Sequence, residues 1–255
     1  MTILISLYGL LIGSFLNVCI YRIPREESIV FPSSHCPSCN TKLRWYDNIP
    51  LVSYLSLMGK CRYCGGPISP QYPIVELLNA FLYIIIYLQF GFSFNFIFFA
   101  IIFSILIVIG IIDLKEMIIP DVLVLLIMGI TVVYKLLSYI LYNSPPDIPN
   151  SIGGLVLSSL LFVAIIFLSK GGMGEGDVTL IASLGFILGV KYIFLTIFLS
   201  FILGAIISIL LLLFKIKGKK DPIPFGPFII LGFMITVYWG EQLLNWYISN
   251  FFRGV

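Results

Sequence analysis

The sequence predicts an all-α polytopic membrane protein with about eight transmembrane helices. Of the 255 residues, 60% are hydrophobic and 11% are charged, and the mean hydropathy is +1.09. Water-soluble domains carry roughly 25% charged residues, so this composition belongs in a lipid bilayer. Fifteen Lys and Arg residues against twelve acids give a net charge of only +3. These values exclude a disordered chain, a secreted disulfide scaffold and a nucleic-acid-binding protein.

Apolar runs recur along the chain at the length of a membrane-spanning helix, which takes about 20 residues. The first run, 2–21, has no positive residue before it and has Arg22 and Arg25 just after it. This is the reverse of a signal peptide, so we expect a retained helix whose N-terminus lies outside. Seven further runs follow at 73–90, 94–112, 121–142, 151–168, 178–190, 192–214 and 225–248. The sixth run is short, and the eighth carries Glu241 near its end.

The positive residues predict the orientation of these helices. If the first helix runs from outside to inside, the inside segments are 22–72, 113–120, 169–177 and 215–222. They contain 12 of the 15 Lys and Arg residues, and the exceptions are Lys135, Lys191 and Arg253. Because Lys and Arg are enriched in cytosolic loops, the charge distribution agrees with this helix order.

The polar stretch after the first helix contains four of the five cysteines as two Cys-x-x-Cys pairs: Cys36, Cys39, Cys61 and Cys64. The 21 residues between the pairs are one more than the usual zinc-site window. Two thiolates on a tight turn point toward one centre, and Asn40 and Gly65 suit the left-handed turn that often follows the second cysteine. Two disulfides are the alternative, but cytosolic thiols stay reduced. We therefore expect a cytosolic loop that binds a structural Zn²⁺.

Two other residues near the cysteine pairs are expected to carry no chemistry. Four thiolates complete a tetrahedron, so His35, beside Cys36, is expected to be an ordinary surface residue. Cys19 lies among apolar residues of the first helix and is expected to pack there. A closed site leaves no position for water, so the zinc should hold a fold rather than attack a substrate.

Five acids lie at two junctions that helix order places on the cytosolic side: Asp113, Glu116, Asp121, Glu175 and Asp177. Asp113 follows an apolar run, so its carboxylate should lie partly desolvated at a helix end. Backbone near Asp177 should approach another helix or an extended substrate closely, because four glycines precede it: Gly171, Gly172, Gly174 and Gly176. Two carboxylates a few ångströms apart share one proton, which suits peptide hydrolysis.

Other interpretations of these acids stay open on the residues alone. Acids at a membrane edge also cap helices, pair with Lys115 or Lys170, or mark a transport path. A proton-coupled transporter would need acids near mid-membrane, whereas a membrane-anchored zinc-loop binding module would not need the aspartates. The glycine string is no nucleotide loop, because no strand precedes it and no Gly-Lys-Ser/Thr follows. Glu76 is explained as an acid at a helix N-terminus.

Several motifs resemble the bacterial type IV prepilin peptidases, which are GxGD aspartic proteases. The similar stretches are GSFLNVCIYRIP, CPSC, CRYC, ISPQYPIVELL, DLKEMIIPD and GMGEGD. The resemblance implies an endopeptidase of the bacterial cytoplasmic (inner) membrane that removes the basic leader of prepilins or pseudopilins at the cytosolic face. Carried over by motif, the catalytic pair is Asp113 and Asp177. Thr179 stands where the family usually has lysine.

The same resemblance implies further properties. Family members with the cysteine loop often methylate the new N-terminus with S-adenosylmethionine, and they serve type IV pili, type II secretion or competence. We expect the basic leader to meet Glu116, Asp121 or Glu175. The nearest alternative is a presenilin-like GxGD protease, but those proteases lack the cysteine loop and have Tyr where this chain has Ile112.

The expected organisation has three parts. The first transmembrane helix occupies residues 1–22, the cytosolic zinc-binding loop 23–72, and a catalytic core of about seven helices 73–255.

Overall fold

The computed structural model describes residues 1–143, 145–169, 173–218 and 221–250, with the backbone of residue 251. Six residues used in the sequence analysis lie outside the described part of the chain: Lys170, Gly171, Gly172, Lys219, Lys220 and Arg253. Where the chain is described, it forms helices and no strand beyond two isolated bridges. Seven of the helices are long and apolar enough to cross a membrane. The prediction of an all-α multi-pass membrane protein is confirmed.

The described residues form eight α-helices. They are α1 (Thr2–Arg22), α2 (Val52–Ser56), α3 (Gln71–Phe90), α4 (Phe94–Glu116), α5 (Asp121–Tyr142), α6 (Ile148–Leu168), α7 (Glu175–Leu213) and α8 (Gly226–Phe251). Seven of them are long enough to span a bilayer, and α2 is too short. The cysteine pairs lie between α1 and α3, on either side of α2. The chain divides into two compact units, residues 1–111 and residues 112–255.

In the first unit, small residues let α1 and α3 pack closely. A Cβ atom added to Gly9 or Gly13 would lie 2.6 or 2.7 Å from the Cα atom of Ala80 or Glu76. Glycines four residues apart bring helix backbones together in a bilayer, where packing rather than hydrophobicity drives association. The side chain of Asn79 donates to the Gly9 carbonyl at 2.7 Å, so this buried amide has its partner without water.

In the second unit, the 39-residue α7 contains both the sixth and the seventh predicted runs and reverses direction at Gly189. Ser158 of α6 donates to the carbonyl of Ile181 at 3.3 Å. One turn further along α6, the ring of Phe162 lies 6.2 Å from that of Phe201. A straight helix would separate Ile181 from Phe201 by about 30 Å. The two halves of α7 are therefore antiparallel, and two of the eight predicted runs form one element.

A glycine and an asparagine make this reversal within α7. Gly189 has φ 74° and ψ 178°, a conformation that favours glycine. The side-chain oxygen of Asn150 accepts a hydrogen bond from the N–H of Val190 at 2.9 Å, which satisfies a donor freed by the turn. The second half of α7 then packs on α8, where the hydroxyls of Thr196 and Thr236 lie 3.0 Å apart.

Candidate functional site

Asp113 and Asp177 meet inside the second unit although they are far apart in the chain. Asp113 lies in the last turn of α4, and Asp177 lies in the first turn of α7. Their exposed fractions are 5% and 7%, and their carboxyl groups are close enough for the two charges to interact. The expectation that Asp113 lies desolvated at a helix end is confirmed. Two acids in one buried environment are the arrangement in which a single proton is shared.

Backbone N–H groups hold one oxygen of each carboxyl group. Asp113 Oδ2 accepts from the N–H of Gly226 at 3.0 Å. Asp177 Oδ2 accepts from the N–H of Gly174, the N-cap residue of α7, at 3.3 Å. Asp177 Oδ1 is buried and has no hydrogen-bond partner among the described residues. A buried carboxyl oxygen without a protein partner, beside a second carboxyl group, is suited to bind a water or a substrate.

Two glycines allow the backbone to pack tightly around this pair. A Cβ atom on Gly226 would lie 2.6 Å from Asp113 Oδ2, and one on Gly176 would lie 2.9 Å from the Cβ of Ile119. Ile119 lies in the turn between α4 and α5 and is next to Gly226 as well. Its Cδ1 atom would be 3.3 Å from a Cβ atom added to Gly226. The glycine segment does pack closely at Gly176, but its neighbour is the side chain of Ile119 in a turn, not the other helix or extended substrate that the sequence predicted. Sequence reasoning missed Gly226, whose signal is the Gly-Pro step that begins α8.

The other acids at these junctions lie at the protein surface. Glu116, Asp121 and Glu175 are exposed, unlike the buried pair. Thr179, at the position where lysine was expected, is also exposed and donates to the carbonyl of Gly176 at 3.0 Å. The structure therefore separates two buried carboxyl groups from a group of exposed acids near the same helix ends.

The first unit brings four cysteines together. The Sγ atoms of Cys36, Cys39, Cys61 and Cys64 all lie within 4.8 Å of one another, and all four thiols are free. Tetrahedral zinc with Zn–S bonds of about 2.3 Å needs sulfurs about 3.8 Å apart. The Cys36 and Cys64 sulfurs are 4.0 Å apart. The cluster could therefore hold a metal ion.

Each cysteine pair is shaped by a local left-handed turn. Asn40 donates its N–H to the Cys36 carbonyl at 2.8 Å, and Gly65 donates to the Cys61 carbonyl at 2.9 Å. The φ angles of Asn40 and Gly65 are 55° and 70°, which confirms the predicted left-handed turns. His35 is exposed and lies outside the cysteine cluster, as expected.

The thiols of Cys39 and Cys64 differ in acidity. Hydrogen bonds with the side chain and backbone of Thr41 lower the pKa of Cys39 to about 6. The N–H of Gly66 lowers the pKa of Cys64, but the neighbouring sulfurs outweigh it and raise that pKa to about 11. Crowded thiols do not all ionise together unless a cation is present, and metal ligation requires thiolates. This chemistry suits a divalent metal.

A buried carboxylate ties the second cysteine pair to the segment between the pairs. Asp47 accepts from Arg62 Nε at 2.8 Å and from the hydroxyl of Tyr63 at 2.9 Å. Burial raises the pKa of Asp47, but the hydrogen bonds from Arg62 and Tyr63, with one from the Arg44 N–H, hold it below its ordinary value. Asp47 therefore stays ionised and braces the loop.

Glu76 does more than occupy a helix N-terminus. Its side chain is buried, with an exposed fraction of 5%, and its Oε2 accepts from the N–H of Leu51 at 2.8 Å. Leu51 has φ 59°, so the backbone turns sharply at this point. The cysteine loop is thus attached to α3 through a carboxylate that sequence reasoning treated as a simple helix-end charge.

Comparison with known proteins identifies the family. Residues 7–90 match the Bacterial Peptidase A24 N-terminal domain, and residues 100–209 match the Type IV leader peptidase family. The prepilin leader peptidase/N-methyltransferase of Aeromonas hydrophila is 34% identical, over 97% of this chain and 94% of its own. The protein of that name from Pseudomonas aeruginosa is 34% identical, over 95% of this chain and 92% of its own. The one from Bacillus subtilis is 32% identical, over 96% of this chain and 97% of its own. No solved structure matches the chain. The chain therefore belongs to the type IV leader peptidase family.

Proposed function

We propose that this chain is an aspartic endopeptidase of the bacterial cytoplasmic membrane that removes the leader of type IV prepilins or pseudopilins. The observation that carries this proposal is the meeting of two buried carboxyl groups, Asp113 and Asp177, from separate helix ends. The matched leader-peptidase region includes both residues. Relatives that share about a third of their residues with this chain are named prepilin leader peptidases.

The proposed reaction uses the two carboxyl groups as base and acid. The ionised carboxylate removes a proton from water while the water oxygen bonds to the scissile carbonyl carbon. The protonated carboxyl group gives its proton to the carbonyl oxygen. When the carbon–nitrogen bond breaks, the carboxyl group that took the water's proton gives it to the leaving nitrogen. A hydroxyl of the tetrahedral intermediate gives its proton to the other carboxylate as the carbonyl re-forms, so the pair again holds one proton. The unpartnered Asp177 Oδ1 is the atom we place nearest the attacking water.

The substrate fits the site by charge and polarity. A prepilin combines an apolar helix, which can lie in the bilayer, with a short basic leader at its edge. Glu116, Asp121 and Glu175 are exposed near the two buried aspartates in the chain and supply negative charge for that leader. We place the site at the cytosolic face, with the N-terminus outside, because 12 of 15 Lys and Arg residues lie in the inside segments.

The cysteine cluster is proposed to hold one structural Zn²⁺ through Cys36, Cys39, Cys61 and Cys64. Four thiolates would close the coordination sphere, so the metal would stabilise the loop and take no part in peptide cleavage. The three-part organisation, with the loop at 23–72 and the catalytic core at 73–255, follows from these assignments.

A second activity is proposed from the relatives, which are named N-methyltransferases as well as leader peptidases. S-Adenosylmethionine would supply the methyl group for the new N-terminus. The processed substrates would serve type IV pili, type II secretion or competence. No residue of this chain is assigned to the methyl donor.

Mass spectrometry of a prepilin co-expressed with the full chain tests both activities, because one spectrum records leader loss and methyl addition. We expect Asp113→Ala and Asp177→Ala each to abolish leader loss while the protein still inserts in the membrane. Replacing the four clustered cysteines with serine should abolish methyl addition and keep leader loss. Unaltered leader removal in both aspartate variants would reject the protease and favour a transporter or a binding module.

A further inference from the structure

The segment 45–58 of the cysteine loop exposes large apolar side chains outside the spanning helices. Trp45, Leu55 and Met58 have exposed fractions of 79%, 71% and 87%. Ile49 and Val52, at 37% and 60%, belong to the same segment. Scattered exposed apolar residues are ordinary, but five within fourteen positions concentrate apolar area that water solvates poorly.

Helix α2, within this segment, buries one of its two serines and exposes two of its apolar side chains. Ser53 is turned inward, with an exposed fraction of 8%, and its hydroxyl donates to the carbonyl of Tyr46 at 2.8 Å. Val52 and Leu55 point outward instead. Two exposed apolar side chains within five residues are favourable when the medium outside the helix is apolar. The second serine, Ser56, is exposed, but its hydroxyl donates to the Ser53 carbonyl at 3.1 Å and so has a partner without water.

The same segment is attached at the level of a membrane-spanning helix. The N–H of Leu51, which directly precedes α2, donates to the Glu76 carboxylate at 2.8 Å. Glu76 is the sixth residue of α3, so it lies about 8 Å along the axis from the first residue. A segment bonded at that depth starts beside the end of the span rather than out in the solvent.

Positive charge surrounds this apolar surface. Lys42, Arg44, Lys60 and Arg62 flank the segment, and Asp47 is the single acid between residues 41 and 62. Arg44 and Arg62 both lie over the ring of Tyr46, with 5.9 and 5.3 Å to its centroid. Clustered cations beside apolar and aromatic side chains are the composition of segments that bind the surface of an anionic membrane.

We propose that segment 45–58 lies in the headgroup layer of the adjacent membrane leaflet. Trp45, Leu55 and Met58 enter the upper acyl region. Lys42, Arg44 and Lys60 contact lipid phosphates, while Arg62 stays paired with Asp47. The cysteine loop is therefore a membrane-surface module rather than a solvated domain. This inference does not depend on the proposed peptidase activity, because it rests on residues 41–76 alone.

Fluorescence quenching of the full chain in lipid nanodiscs tests this placement. The chain has three tryptophans, so Trp239→Phe with Trp246→Phe leaves Trp45 as the single reporter. Trp45→Phe with Trp239→Phe leaves Trp246, an exposed residue of the spanning α8, as a positive control. Each protein is placed in discs whose lipids carry bromine near the headgroup end of the acyl chains, and in matched discs without bromine.

We expect bromine to remove roughly half of the Trp45 emission, as it does for Trp246, and acrylamide in the water to quench it weakly. Leu55→Ser combined with Met58→Ser should reduce the bromine effect and raise the acrylamide effect. The proposal would be overturned if brominated lipid quenches the emission of Trp246 but not that of Trp45. If bromine does not quench Trp45 but its emission changes when a prepilin is added, the surface binds a protein partner, and the proposal is also overturned.

Discussion

The cysteine cluster and the aspartate pair are built in opposite ways. Each cysteine pair lies on one local turn, with a left-handed residue after its second cysteine. The aspartates come from the last turn of α4 and the first turn of α7, which are far apart in the chain. The first site brings four sulfurs together, whereas in the second a buried carboxyl oxygen has no hydrogen-bond partner among the described residues. Local geometry thus suits a structural metal, and a site assembled over long range suits chemistry.

The largest expected effect belongs to the aspartate pair. Asp113→Asn or Asp177→Asn keeps the shape of the side chain but removes its ability to carry a proton between water and substrate. We expect kcat for prepilin cleavage to fall on the order of 10³-fold. The measurement is the cleavage rate of a purified prepilin by the reconstituted enzyme.

Asp147→Asn is the matched control for these two variants. Asp147 caps α6 by accepting from the N–H of Asn150 at 3.2 Å, and asparagine caps helices equally well. Its rate should equal the wild-type rate. A fall of less than tenfold in both variants of the pair would contradict the assignment of the base and the acid.

The next effect tests the close packing around the pair. Gly226→Ala would place a methyl group 2.6 Å from Asp113 Oδ2, so the carboxyl group must move from its position beside Asp177. Displacement of a catalytic group by about 1 Å costs roughly 10²-fold in rate, which is the expected loss of kcat.

Gly129→Ala in α5 is the control for the added methyl group, because nothing lies within 4 Å of its new Cβ atom. It should cleave like the wild type. Equal rates for both alanine variants would show that the position of Asp113 does not depend on Gly226.

A third variant tests the locally built site. Cys36→Ser removes one of the four proposed sulfur ligands, so zinc affinity should fall at least about tenfold and the purified protein should lose its metal to a mild chelator. Cys19→Ser, in α1 and outside the cluster, should keep its zinc. Metal analysis of both proteins checks this. Equal zinc retention in the two variants would mean that the four cysteines are not the metal site.

The smallest effect concerns the exposed acids beside the pair. The combined variant Glu116→Gln, Asp121→Asn and Glu175→Gln should raise KM for a prepilin with a basic leader several-fold and leave kcat unchanged, because exposed ion pairs are weak. Added salt should raise the wild-type KM and have less effect on the variant. Identical KM values at low salt would remove these acids from leader binding.

Neutralising Glu26 and Glu27, which removes two negative charges instead of three, is the control for the loss of exposed negative charge elsewhere in the chain. Both acids are exposed and lie in the first unit, outside the junction segments. Their double Gln variant should have the wild-type KM.

Much of the fold could be predicted because apolar runs of spanning length are a strong signal. The long helices begin and end within a few residues of those runs, but α4 continues past its apolar run and carries Asp113 in its last turn. The exception is α7, where composition marked two helices but could not show that Gly189 turns the chain without a loop. The hydropathy profile does not show the positive φ angle of a single residue such as Gly189.

The cysteine cluster and the aspartate pair also differ in how much of their geometry the local sequence shows. The four cysteines and their left-handed residues are visible in short motifs, because one turn determines their geometry. The roles of Gly226 and Ile119 depend on which helix ends meet, and that depends on packing between residues far apart in the chain. The bond between Glu76 and Leu51 was hidden for the same reason.

A double-mutant cycle on the aspartate pair tests most directly whether Asp113 and Asp177 form one catalytic unit. The cleavage rates of Asp113→Asn, Asp177→Asn and the double variant are measured on the same prepilin under the same conditions. If the two carboxyl groups share one proton and act together, the double variant loses no more activity than either single variant. Losses that multiply, or a single variant with wild-type activity, would contradict a shared catalytic centre.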